Sequence, residues 1–69
     1  MVDTQVLEEI IKDEGKKKSY LADKLGISVQ SLRLKMKNKQ EFKTGEVAIL
    51  CRELGITRLT DKEKIFFKM

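Results

Sequence analysis

The apolar residues of this chain recur at helical rather than alternating spacing, and no proline interrupts them. That period places apolar side chains along one stripe of a helix and builds no half-buried sheet face. The expected fold is therefore all-α, a compact bundle of four to five short helices. A first helix is predicted from about Thr4 to Glu14, with Val6, Leu7, Ile10 and Ile11 as its stripe, Asp3 or Thr4 as its cap and Gly15 as its stop. A second, barely two turns long, runs from about Lys18 to Leu25, with Leu21, Ala22 and Leu25 on one face before Gly26. A third follows Ser28, a good N-cap. It carries Val29, Leu32 and Met36 as its stripe, with basic and polar residues off that stripe, and ends near Asn38, which tolerates the left-handed C-terminal position. A fourth, about Thr44 to Leu54, turns Val47, Leu50, Cys51 and Leu54 inward and stops at Gly55. Thr60-Asp61-Lys62-Glu63 has the form of a capping box opening a last helix through Phe67. Phe42, in the loop before the fourth helix, is expected to plug the core.

Sixty-nine residues build one hydrophobic core at most, so residues 1–69 form a single domain, and a core this small often gains stability by self-association. Composition excludes much chemistry. With no His and one Cys, neither a zinc site of thiolate and imidazole ligands nor a Ser/His/Asp or Cys/His catalytic group can be assembled. The four glycines stand at least ten residues apart, which removes a Gly-rich phosphate cradle. Carboxylates such as Glu8 and Glu9 fall on a solvated face with no sign of a pocket, so no enzyme, cofactor or metal is expected. The longest apolar run, Val47 to Cys51, is far short of the ~20 residues that span a bilayer, and no basic segment leads into an apolar stretch at the N-terminus. A soluble, cytoplasmic protein without a membrane partner is the expectation, and a lone thiol fits a reducing compartment. Cys51 reads as a small buried hydrophobe.

The net charge of +4 hides a division along the chain. Residues 1–14 carry a net −4, residues 15–43 a net +7 from nine cations against Asp23 and Glu41, and residues 44–69 a net +1. A lysine run is often only a solvated face. What gives this one meaning is its framework.

Two short helices meet across Leu25-Gly26-Ile27-Ser28, with Ala22 small where they cross and Gly26 able to take the positive φ of the turn. Leu21, Leu25, Ile27 and Leu32 fill the angle between them. The stretch Lys18-Ser19-Tyr20-Leu21-Ala22-Asp23-Lys24-Leu25-Gly26-Ile27-Ser28 resembles the helix-turn-helix of the Cro and repressor family of phage and bacterial regulators, the xenobiotic-response-element class. Asn38-Lys39-Gln40-Glu41-Phe42 and the closing Asp61 to Phe67 resemble the small phage regulators within that family, so the likeness extends over nearly the whole chain. The chain departs from the family pattern at Lys17 and Lys18, where Gln or Thr is usual, and at Asn38, where Gly is frequent. It departs again at Lys35, where an apolar residue is frequent and Leu34 and Met36 flank the position instead.

The resemblance implies a sequence-specific transcriptional regulator, a Cro-like repressor, that lays the helix at about residues 29–37 in the major groove of double-stranded DNA. It aligns Ser28, Val29, Gln30, Arg33, Leu34 and Lys37 with the groove-facing positions. Gln30 suits adenine, Arg33 suits guanine, and Val29 or Leu34 suits a thymine methyl. Leu34 also reads as core, and Lys37 reaches either a base or a phosphate. Lys16, Lys17 and Lys18 before the second helix, and Asn38, Lys39, Gln40 and Lys43 after the third, are the expected phosphate contacts. One helix of this size selects few base pairs, so a homodimer is expected, with Ile49, Ile65, Phe66 and Phe67 as its interface. The competing reading of Phe66 or Phe67 is closure of the monomer's own core. An alternative function keeps the scaffold but binds another phage regulator protein, as an antirepressor or corepressor does, since Val29 and Leu34 make the reading surface apolar and Ile49 with Ile65-Phe66-Phe67 offers further apolar surface.

Overall fold

The computed structural model describes residues 1–67, and the last two residues of the predicted 1–69 domain lie outside them. It contains α1 (Thr4–Asp13), α2 (Lys18–Leu25), α3 (Val29–Met36), α4 (Thr44–Leu54) and α5 (Leu59–Phe66), with no strand among the described residues. Four of these helices end in the same way. After α1, α2, α3 and α4 a residue with positive φ reverses the chain: Gly15, Gly26, Asn38 and Gly55. The next amide then reaches back to the last turn, Lys16 to the Ile11 carbonyl at 3.2 Å, Ile27 to Ala22 at 3.0 Å, Lys39 to Leu34 at 2.9 Å and Ile56 to Cys51 at 2.8 Å. This Schellman closure satisfies carbonyls that a helix end leaves open, and it turns Ile27 and Ile56 back toward the core.

The short helices then pack as pairs, α2 on α3, α2 on α4 and α1 on α5. Leu7, Leu21, Leu32, Met36 and Leu50 are the largest fully buried side chains, so every helix but α5 contributes at least one to the centre. Cys51, Leu54, Ile65 and Phe66 close the same cluster. Phe42 packs edge-on against Phe66, ring centres 5.9 Å apart, as the plug expected of it. At ~1.5–3 kcal/mol for each buried aliphatic side chain, these residues carry the stability of a chain this short.

Several expectations are corrected. Among the stripe of α1, Leu7 and Ile11 are buried, whereas Val6 is exposed and Ile10 half-buried. The helix α5 starts at Leu59 after Arg58, without a side-chain cap, so Thr60 lies inside its first turn and the predicted capping box is not its start. Glu46 instead caps the start of α4, accepting the Lys43 amide at 2.9 Å. Ile65 and Phe66, expected at a dimer interface, are 4% exposed and belong to the monomer's own core, because α5 docks on α1 through that face. Phe67 stays outside at 61%. The N-terminal arm is more engaged than its sequence announces. Val2 is buried, and the Asp3 amide donates to the Ile65 carbonyl at 2.6 Å. Among the described residues no helix is long and apolar enough to cross a membrane.

Candidate nucleic-acid interface

Ser28 sets where α3 begins. Its hydroxyl oxygen accepts the Ser31 amide at 3.0 Å and so satisfies one of the free donors of the first turn. At about 100° per residue, the buried Leu32, Lys35 and Met36 define the inner face of α3. Gln30 then points most directly away from the core, with Leu34 on one side of it and the C-cap Lys37, and beyond it Arg33, on the other. Ser28, Gln30, Arg33 and Lys37 are exposed. Val29 is half-buried and packs against the core, while Leu34 is half-buried without joining the core cluster. The two readings of Leu34 are thereby separated: it lies on the outward face.

The phosphate candidates divide. Lys17 is exposed at the start of α2, where no side chain caps the helix, and Lys39, Gln40 and Lys43 are exposed in the loop after α3. Lys18 bridges to Glu8 of α1 at 2.8 Å. Lys16 and Lys24 sit beside Tyr20, their ammonium nitrogens 5.3 and 5.4 Å from the ring centre. The Tyr20 hydroxyl donates to Glu53 at 2.8 Å, and that bond holds its proton more tightly than usual, with burial and the Glu53 charge acting in the same direction. Asn38 is exposed and at the same time holds the N-terminal arm. Its side-chain oxygen accepts the Val2 amide at 2.8 Å and its NH2 donates to the Val2 carbonyl at 3.0 Å. Both polar ends are thus committed to the N-terminal arm.

The basic surface around α3 is nearly free of opposing charge, since residues 24–40 include no carboxylate. One cation of that segment does not belong to the surface. Lys35, expected off the apolar stripe, is 7% exposed and pairs with Glu46 at 2.6 Å. Burial alone would raise the Glu46 pKa, but the Lys35 bond and charge and the Lys43 amide outweigh it and leave the carboxyl below its ordinary value. The signal for this pair was the lysine standing where the resembling family carries an apolar residue. Its partner Glu46, eleven positions on in another helix, had no local signal.

Away from α3, the helices α1 and α5 and the end of α4 enclose a groove of about 980 Å³. Val6, Ile10, Leu54, Ile56, Ile65 and Phe67 supply its apolar lining, and Asp3, Asp61, Glu63 and Lys64 line it with charge of both signs. Compared with protein-family models, curated proteins and solved structures, the chain matches none of them.

Proposed function

We propose that this chain is a sequence-specific DNA-binding transcriptional regulator, a repressor of the Cro-like kind, that places α3 in the major groove of duplex DNA. The observation that carries the reading is the outward face of α3. Gln30, Arg33 and Lys37 are all exposed on it, Leu34 stands beside them, and exposed Lys17, Lys39 and Lys43 lie at the flanking helix starts and loop. An α-helix with its side chains is about 10–12 Å across, which the ~12 Å width of the major groove admits. The amide and guanidinium groups of α3 are those that pair bidentately with adenine and guanine, and the lysines are suited to phosphates. The active form is a homodimer on a nearly palindromic site, with Phe67 and the half-buried Ile49 as the predicted interface residues left outside the core.

Selection from random duplexes tests this reading. The protein enriches one short motif, and its affinity falls steeply between low and moderate salt as counterions are released. No enrichment, or binding indifferent to salt, would contradict it.

The groove between α1 and α5 favours a second reading, in which the chain is an antirepressor or corepressor that holds another regulatory protein. An exposed Phe67 over an apolar floor is a surface that a partner can cover. In that case binding of the partner persists as salt is raised, and Phe67→Asp abolishes it.

A further inference from the structure

The inner face of α3 is tied to its neighbours on two sides. On one side of Leu32, Lys35 reaches Glu46 at the first turn of α4, and the same carboxylate oxygen accepts the Lys43 amide. On the other side, the Met36 carbonyl accepts the Thr4 hydroxyl, and Asn38 just beyond holds Val2. Lys35 is tied through its side chain and Met36 through its backbone carbonyl at the last turn, so a roll of α3 carries both groups away from their partners.

The rest of the inner face is hydrocarbon, and hydrocarbon contact has little directional preference. A charge-assisted bond of 2.6 Å, with a second donor fixing its acceptor, has a strong one. The main packing of α3 is on α2 rather than on α4, so this bond fastens its last turn directly to α4. Stability does not require a charge here, because well-packed apolar residues in place of a buried ion pair are commonly neutral or stabilising. What an ion pair adds to an apolar face is orientation.

We infer that Lys35 and Glu46 are positioning residues that fix the roll of α3, and thereby decide which of its outward side chains meets a base. This rests on the reading of α3 as the DNA-contacting helix. A roll by a fraction of one residue's ~100° turn, with Leu32 still inside, would move Gln30 off the centre of the outward face while leaving the flanking lysines where they are. The pair therefore governs specificity and leaves nonspecific affinity alone.

The double variant Lys35→Met/Glu46→Leu tests the role, with each single variant beside it. The double variant is expected to melt near the wild-type temperature, the apolar packing offsetting the lost Lys43 cap, and Lys35→Met alone well below it, because Glu46 is then buried without its cation. On the duplex selected by the wild type, affinity relative to a random duplex is expected to fall about ten-fold in the double variant, the loss of one base contact. Affinity for the random duplex itself is expected to stay within about two-fold, since the phosphate contacts are untouched. Glu46→Gln, which keeps the shape and weakens the tie, is expected to lose part of the preference. Wild-type preference in every folded variant would overturn the role. If the wild type itself prefers no duplex, the DNA reading has failed and the roll is still measurable. Nuclear Overhauser contacts from α3 to α2 and α4 that are unchanged in the double variant would then overturn the inference, and a rotated α3 would uphold it.

Discussion

Lys35 and Glu46 make acid stability a property of two residues. The Glu46 carboxyl is held below its ordinary value in the folded chain, so its contribution is present above the ordinary glutamate pKa of ~4.3 and is lost as pH falls through the folded value. Urea midpoints measured from about pH 6 to about pH 3 should fall steeply in the wild type. In Glu46→Gln they should start lower and fall less, and parallel curves would assign the acid limb to other carboxylates. Asn38 combines two functions, a φ of 62° and a clamp on Val2. Asn38→Gly loses the clamp but frees the left-handed backbone of its Cβ, whereas Asn38→Ala loses the clamp and keeps a Cβ there without the amide that tolerates it, which leaves it about 1–2 kcal/mol less stable than the glycine variant. Denaturant titration of both variants checks this, and equal stability would deny any backbone strain at the site. The left-handed turn was legible in the sequence because asparagine tolerates it. The clamp was not, because its partner lies thirty-six positions away on an arm with no helical pattern.

Among the elements, α2 and α4 have the bounds their sequences predict, because each has an apolar stripe and a terminal glycine to stop it. The start of α5 was misplaced by two residues: Thr60 and Glu63 have capping-box spacing, but capping chemistry is only a local preference, and the helix begins at the exposed Leu59. The basic run before α2 illustrates the same limit, since a lysine triplet looks uniform until tertiary neighbours sort it. Lys17 is exposed, while Lys18 is bound to Glu8 and Lys16 lies beside Tyr20. Lys17→Gln should therefore flatten the salt dependence of DNA binding by about one unit of slope, one phosphate contact. Lys18→Gln should change it less. Equal changes in the two, read from binding isotherms at several salt concentrations, would mean that the Glu8 bridge opens on DNA.

For the whole molecule, size decides the stoichiometry of the proposed complex. The described chain extends 28 × 24 × 21 Å, less than the ~34 Å between successive major-groove faces, so one copy contacts one half-site and two are needed for an operator. The expected interface was drawn from apolar residues left over by the helical stripes, and that subtraction failed at Ile65 and Phe66 because the C-terminal helix completes the core. Phe66→Asp should unfold the chain, with loss of its helical circular dichroism. Phe67→Asp should leave the fold intact and weaken self-association in sedimentation, and an unfolded Phe67→Asp protein would contradict the exposure of that ring. The pair α2 and α3 and the turn between them were legible in Leu21, Ala22, Leu25, Gly26 and Ile27, whose packing and turn are local. The roll of α3 was not, because it depends on a carboxylate from another helix. The central claim is that α3 reads bases, and the most direct measurement compares wild type with Arg33→Ala on the selected duplex and on random DNA. A loss of about 1–3 kcal/mol on the selected duplex, with a far smaller loss on random DNA, is the predicted result. Equal losses on both would contradict it and reduce Arg33 to a phosphate contact.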